Sequence, residues 1–123
     1  PWVDLTCGGA SYVTKAEADP IVRRAAVEQM AQAYLGSTPP RTPLASPLFA
    51  DLRGLPPLLI HVGRDEVLLD DAVQLAERAR TAGVDTSIEV YERMIHVWHW
   101  FLPMLDEAQT AVDAIGRFVR SRA

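Results

Sequence analysis

The apolar positions of this chain change period several times, and each change marks an element. Leu58-Leu59-Ile60-His61-Val62 is a nearly continuous apolar run between Pro56-Pro57 and Gly63, which predicts a parallel strand covered on both faces. Thr86 to Tyr91 alternates instead, with Ile88 and Val90 on one face, and predicts a second strand. Between them Leu68, Ala72, Leu75, Ala76 and Ala79 recur at helical spacing. That stripe stops at Ala82-Gly83, so a helix over about 69–82 ends with glycine in the left-handed terminal position. Strand, helix and strand together make a βαβ unit.

Two further helices follow from the same reasoning. Asp19-Pro20 pairs an N-cap candidate with proline at the first helical position, and Val22, Ala25, Ala26, Met30, Ala33 and Tyr34 carry the pattern to Gly36, giving a helix over about 20–35. Leu105, Ala108, Val112, Ile115 and Val119 predict a last amphipathic helix, with Arg117, Arg120 and Arg122 near its C-terminal end, where positive charge suits the macrodipole. Residues 1–19 contain Gly8-Gly9 and several polar side chains without a stable period, and read as irregular. Pro39, Pro40, Pro43 and Pro47 make residues 37–47 an ordered loop. Two strands are too little sheet to cover three helices. The expectation is therefore an α/β fold whose sheet is incomplete in this chain, with missing strands or a partner chain.

Composition narrows the class. With 123 residues and 49% hydrophobic side chains the chain fits one compact domain or part of one. A net charge of -4 argues against a nucleic acid or an anionic membrane surface as the main partner. No apolar run approaches the roughly 20 residues that span a bilayer. Cys7 is the single cysteine, so an internal disulfide or a cysteine-rich metal site is excluded and a reducing, cytoplasmic location is the simpler reading. Pro1 is not an initiator methionine, and an upstream portion is expected.

Ligands of open α/β sheets are handled beyond the carboxyl ends of parallel strands. Two polar segments fall there: Gly63-Arg64-Asp65-Glu66-Val67-Leu68-Leu69-Asp70 and Met94-Ile95-His96-Val97-Trp98-His99. An acid on one loop and a histidine on the next can form the pair in which a carboxylate orients an imidazole whose other nitrogen serves a nucleophile. An isolated acid after a strand is more often a helix cap or a solvated charge. A lone histidine is more often structural, and His61, inside the strand, reads as a sheet or core residue. His96 and His99 lie three residues apart, but no third metal ligand accompanies them and no metal site is expected.

Several segments, in order and spacing, resemble the C-terminal part of the bacterial hormone-sensitive-lipase-like esterases, which are α/β-hydrolases. They are Pro1-Trp2-Val3-Asp4-Leu5-Thr6, Ser46-Pro47-Leu48, Leu55-Pro56-Pro57, Gly63-x-Asp65-x-x-Leu68-x-Asp70 and Met94-Ile95-His96. The resemblance covers essentially the whole chain. It implies that residues 1–123 are the C-terminal part of one α/β-hydrolase domain, with about 8–45 near its cap. It implies a carboxylic-ester hydrolase with a Ser-His-Asp triad, no cofactor and a small ester substrate. By position the triad acid falls on Asp65 and the base on His96. The chain departs from the family's Asp-Pro-Leu and His-Gly-Phe, having Asp65-Glu66-Val67-Leu68 and His96-Val97-Trp98. Glu66 and Asp70 are therefore rival acids, with Asp65 preferred as nearest the strand and Asp70 assigned to helix capping. His99 is the rival base. Val97 and Trp98 are expected beside the substrate.

The family's Gly-x-Ser-x-Gly elbow and His-Gly-Gly oxyanion loop do not occur in the sequence, and Gly8-Gly9-Ala10-Ser11 is a poor substitute for the elbow. The chain is thus expected to supply the acid and histidine of a larger esterase and to be inert alone. The competing expectation is a hydrolase-like binding or dimerisation module without catalysis. A homo-oligomer, or association with the N-terminal part, is expected from the exposed strand edge.

Overall fold

The computed structural model describes residues 1–122. Its elements are α1 (Ser11–Thr14), α2 (Arg24–Leu35), β1 (Leu58–Gly63), α3 (Leu69–Thr81), β2 (Thr86–Tyr91) and α4 (Asp106–Arg120), with single 3-10 turns at Pro47–Phe49 and Trp98–Phe101. Strands β1 and β2 pair in parallel, with Ile60 opposite Ile88, His61 opposite Glu89 and Val62 opposite Val90. Helix α3 crosses between them as expected of a βαβ unit, and Gly83 ends the connection at φ +82°.

The two faces of this strand pair differ because successive side chains point to opposite sides. Ile60 and Val62, with Ile88 and Val90, pack on Ala72 and Ala76 of α3. On the other face Trp98 is buried among Met94, Tyr91, Leu105, Ala108 and Ala111. A second core lies under the N-terminal segment, where Cys7, Tyr12, Val22 and Val27 meet Val67 and Leu68. The covering of β1 is incomplete: Leu59 is only partly enclosed, and among the described residues the strand has one hydrogen-bonded neighbour.

Three sequence expectations change. Helix α2 begins at Arg24 rather than near residue 20. The Asp19 carboxylate instead accepts the amides of Ile21 and Val22, both at 2.9 Å, and so closes a turn before the helix. The buried stripe of α2 is Val27 and Ala31, leaving Met30 exposed. In α4 the buried positions are Ala108, Ala111 and Ala114, whereas Val112, Ile115 and Val119 are exposed. In α4 the cause is visible: small side chains permit close approach to the bulky Trp98 indole, so the alanines turn inward and larger apolar residues flank the contact.

Buried and half-buried carboxylates tie the irregular N-terminal segment to the βαβ unit. Asp71 Oδ2 accepts the Val3 and Asp4 amides at 2.9 and 3.0 Å. Burial pushes the Asp71 carboxyl up from its ordinary range, partly offset by those two amides. Asp70 does not cap α3: its Oδ2 accepts the Ser11 amide at 3.0 Å, while the Ser11 hydroxyl oxygen accepts the Asp70 amide at 3.1 Å. The other oxygen of Asp19 takes the Val67 amide at 2.9 Å, and Asp19 is fully buried. Asp19→Ala would strand three backbone donors. The expected cost is on the order of 3 kcal/mol of folding stability, measured as a shift in the urea midpoint, whereas a surface substitution such as Glu17→Ala leaves that midpoint nearly unchanged.

Candidate active site

The carboxyl ends of β1 and β2 are drawn together by backbone. Arg64 donates its amide to the Tyr91 carbonyl at 2.9 Å, and Asp65 donates to the Met94 carbonyl at 3.0 Å. This approach requires glycine at the end of β1. A Cβ on Gly63 would stand 2.1 Å from the Met94 carbonyl oxygen and 2.6 Å from its carbon, and both are backbone atoms with no rotamer to give way.

The glutamate of the first turn then meets the histidine of the second. Glu66 Oε2 lies 2.6 Å from His96 Nδ1, and Glu66 Oε1 accepts the Gly63 amide, also at 2.6 Å. The Glu66 side chain is 3% exposed and that of His96 is 27% exposed. An ionised carboxylate only accepts, so Nδ1 carries the proton and donates it, leaving Nε2 of a neutral ring with its lone pair. His96 also forms part of the wall of an apolar pocket of about 340 Å³, shared with Trp2, Ile21, Val22, Val27 and Met30. A base with a fixed tautomer beside an apolar pocket is equipped to take a proton from a neighbouring hydroxyl.

Asp65, the acid preferred by sequence position, is placed elsewhere. Its Oδ1 lies 3.4 Å from Lys15 Nζ, and its side chain is one-third exposed. The backbone bond of Asp65 to Met94 fixes its direction, whereas Glu66, one residue farther with one more methylene, turns back under the loop. The signal for this was faint: Glu66 directly precedes Val67 and Leu68, both buried, at the point where the chain enters the core.

Val97 and Trp98 are not in the pocket that holds His96. Trp98 is 1% exposed and belongs to the core over α4. Val97 lines a different, largely apolar groove of about 410 Å³ with Leu59, His61, His99, Trp100 and Ile115. The Val97 backbone is left-handed, φ +52° and ψ +35°, a conformation costing a β-branched residue on the order of 1–3 kcal/mol. The Ser11 hydroxyl donates to the Val67 carbonyl at 2.6 Å, and that serine is buried away from solvent.

The two remaining histidines pair with each other. His61 Nδ1 and His99 Nε2 are 3.2 Å apart, with ring planes 9° from parallel, and His99 stacks on Trp98 at 4.1 Å between centroids. Burial lowers the pKa of both imidazoles. For His61 the neighbouring His99 lowers it further while Glu89 opposes, and for His99 the Glu66 charge opposes.

Comparison with known proteins now places the chain. Residues 1–100 match the alpha/beta hydrolase fold family, and the chain belongs to that family. An acetyl-hydrolase of Streptomyces hygroscopicus is 47% identical over 121 residues, covering 98% of this chain and 40% of that protein. An esterase of Acinetobacter venetianus is 34% identical over 122 residues, with 98% and 40% covered. The crystal structure of an esterase from the bacterial hormone-sensitive lipase family superposes with a TM-score of 0.96 at 50% identity, over 98% of this chain and 41% of that one. The chain thus spans about two-fifths of the length of these relatives. The resemblance to hormone-sensitive-lipase-type esterases carried by the motifs holds, as does the incomplete α/β sheet.

Two outcomes follow from the site's construction. Gly63→Ala is expected to separate the strand-end turns and break the Glu66–His96 contact, visible as loss of the strongly downfield Nδ1 proton in an NMR spectrum; its persistence would show that the turns can yield. The second concerns pH. Both His61 and His99 bind protons less readily folded than at their unfolded value of 6.5, so the unfolded chain takes up more protons once pH falls below that value. Their contribution to stability is complete above pH 6.5 and lost as pH falls through the lower folded values. Denaturation series across this range should therefore show an acid limb, and His99→Phe should flatten it.

Proposed function

We propose that this chain provides the general base and its orienting acid to a carboxylic-ester hydrolase of serine type. The observation that carries the reading is the 2.6 Å contact between His96 Nδ1 and the buried Glu66 carboxylate, at the carboxyl ends of two parallel strands and beside an apolar pocket. The role of triad acid is assigned to Glu66 rather than Asp65. In this reading His96 Nε2 takes the proton of a serine hydroxyl as that oxygen attacks the ester carbonyl. It returns the proton to the departing alcohol, and then activates the water that releases the acid. Glu66 holds the ring in the tautomer this needs and stabilises the imidazolium formed in between.

The serine and the oxyanion donors belong, in this proposal, to the portion of the relatives beyond the two-fifths that this chain matches. The sequence contains no Gly-x-Ser-x-Gly. The chain by itself is accordingly expected to show no esterase activity. The relatives named as acetyl-hydrolase and esterase support a short-chain ester as substrate. Val27 and Met30 of α2 face the pocket with His96, in keeping with a cap element that shapes access for an apolar acyl or alcohol group.

Short p-nitrophenyl esters assayed on the longer protein test the assignment. His96→Ala and Glu66→Gln are expected to lower kcat by roughly 10³ to 10⁴. Asp65→Ala, which breaks only a partly exposed ion pair, should change it by less than about fivefold. The reverse ranking of the two acids would return the role to Asp65. Ester binding without turnover in the unsubstituted protein would favour a binding module.

A further inference from the structure

The residue following His96 is held in a conformation it does not favour. Val97 is left-handed although branched at Cβ, so its neighbours must impose that turn. Upstream, His96 is bonded to Glu66; downstream, two anchors follow in succession. Trp98 is buried against α4, and His99, on the 3-10 turn, reaches across to His61 on β1 at 3.2 Å.

His61 is a firm anchor. Its strand is paired through the register with Glu89, its side chain is 6% exposed, and its ring lies 5.3 Å from that of Tyr91. A hydrogen bond between two neutral imidazoles needs one donor and one acceptor. The Glu89 carboxylate, 3.5 Å from His61 Nε2, is too far for a good hydrogen bond but favours a proton on that nitrogen. His61 Nδ1 is then the acceptor and His99 Nε2 the donor, and the contact forms without placing charge in the aromatic cluster.

We propose that His61 and His99 are positioning residues for His96: their hydrogen bond clamps β1 to the turn after His96, holds Val97 left-handed, and so keeps His96 aimed at Glu66. This rests on the assignment of His96 and Glu66 as base and acid. Neither His61 nor His99 touches the reacting atoms in this proposal.

The test uses the longer esterase. His99→Phe keeps an aromatic ring on Trp98 and loses the donor. It is expected to lower kcat about tenfold, with KM changed less than about twofold, and to broaden the downfield His96 proton. His99→Gln, whose amide can donate from a similar place, should recover most of the activity and the sharp signal. Val97→Gly makes the left-handed turn inexpensive, so adding His99→Phe to it should cost less than about twofold. Should His99→Phe not fold, His61→Asn, which keeps an acceptor near Nδ1, against His61→Val carries the same comparison.

Unchanged kcat and an unchanged downfield signal in His99→Phe would overturn the proposal. So would a tenfold loss that neither glutamine nor Val97→Gly relieves, since that is the behaviour of packing alone. Full activity in His96→Ala would instead remove the reading on which the proposal rests.

Discussion

The contact on which this arrangement depends is the approach of two backbones at the carboxyl ends of β1 and β2. Gly63 lies so close to the Met94 carbonyl that no side chain fits between them. That proximity lets one glutamate serve both turns, with one carboxylate oxygen on the Gly63 amide and the other on the His96 ring. A carboxylate exposed to only 3% carries a large desolvation cost unless its lone pairs are taken up, and these two bonds do so. Geometry and protonation are thereby linked, because the bond that satisfies the buried charge also sets the histidine tautomer.

Around this contact the chain uses buried and half-buried acids as struts. Asp19, Asp70 and Asp71 each receive backbone amides from segments distant in sequence, which order residues 3–22 with little regular secondary structure. Such bonds are directional, whereas apolar packing is not, and they hold the pocket wall formed by Trp2, Ile21 and Val22 in register with His96. The opposite face is less complete. Leu59 and His61 with Val97, Trp100 and Ile115 border an open groove, in keeping with a chain that matches about two-fifths of its relatives' length.

Much of the fold was legible because short-range rules govern it. The βαβ unit followed from an apolar run, a helical stripe and an alternating strand, and the glycine stop at Gly83 from its conformational freedom. The helix faces were less legible. Hydrophobicity favours burial of Met30, Ile115 and Val119, yet α2 buries Val27 and Ala31, and α4 buries its alanines because the Trp98 indole stands opposite and sets the separation. Likewise α1 leaves no trace in the pattern, as four residues cannot show a period, and Asp19-Pro20 has the chemistry of a helix start although the helix begins only at Arg24.

The site divides along the same line. By itself the sequence determined that an acidic loop and a histidine loop follow two parallel strands, which left His96 with a small set of acids to meet, Glu66 among them. Only the tertiary structure decided which acid. Distance along the chain favoured Asp65, but its amide is spent on Met94 and its carboxylate turns to Lys15, while Glu66 is carried under the turn by Val67 and Leu68 entering the core. Which way a side chain faces at the end of a strand depends on contacts made across the fold, and those have no counterpart in the spacing of residues along the chain.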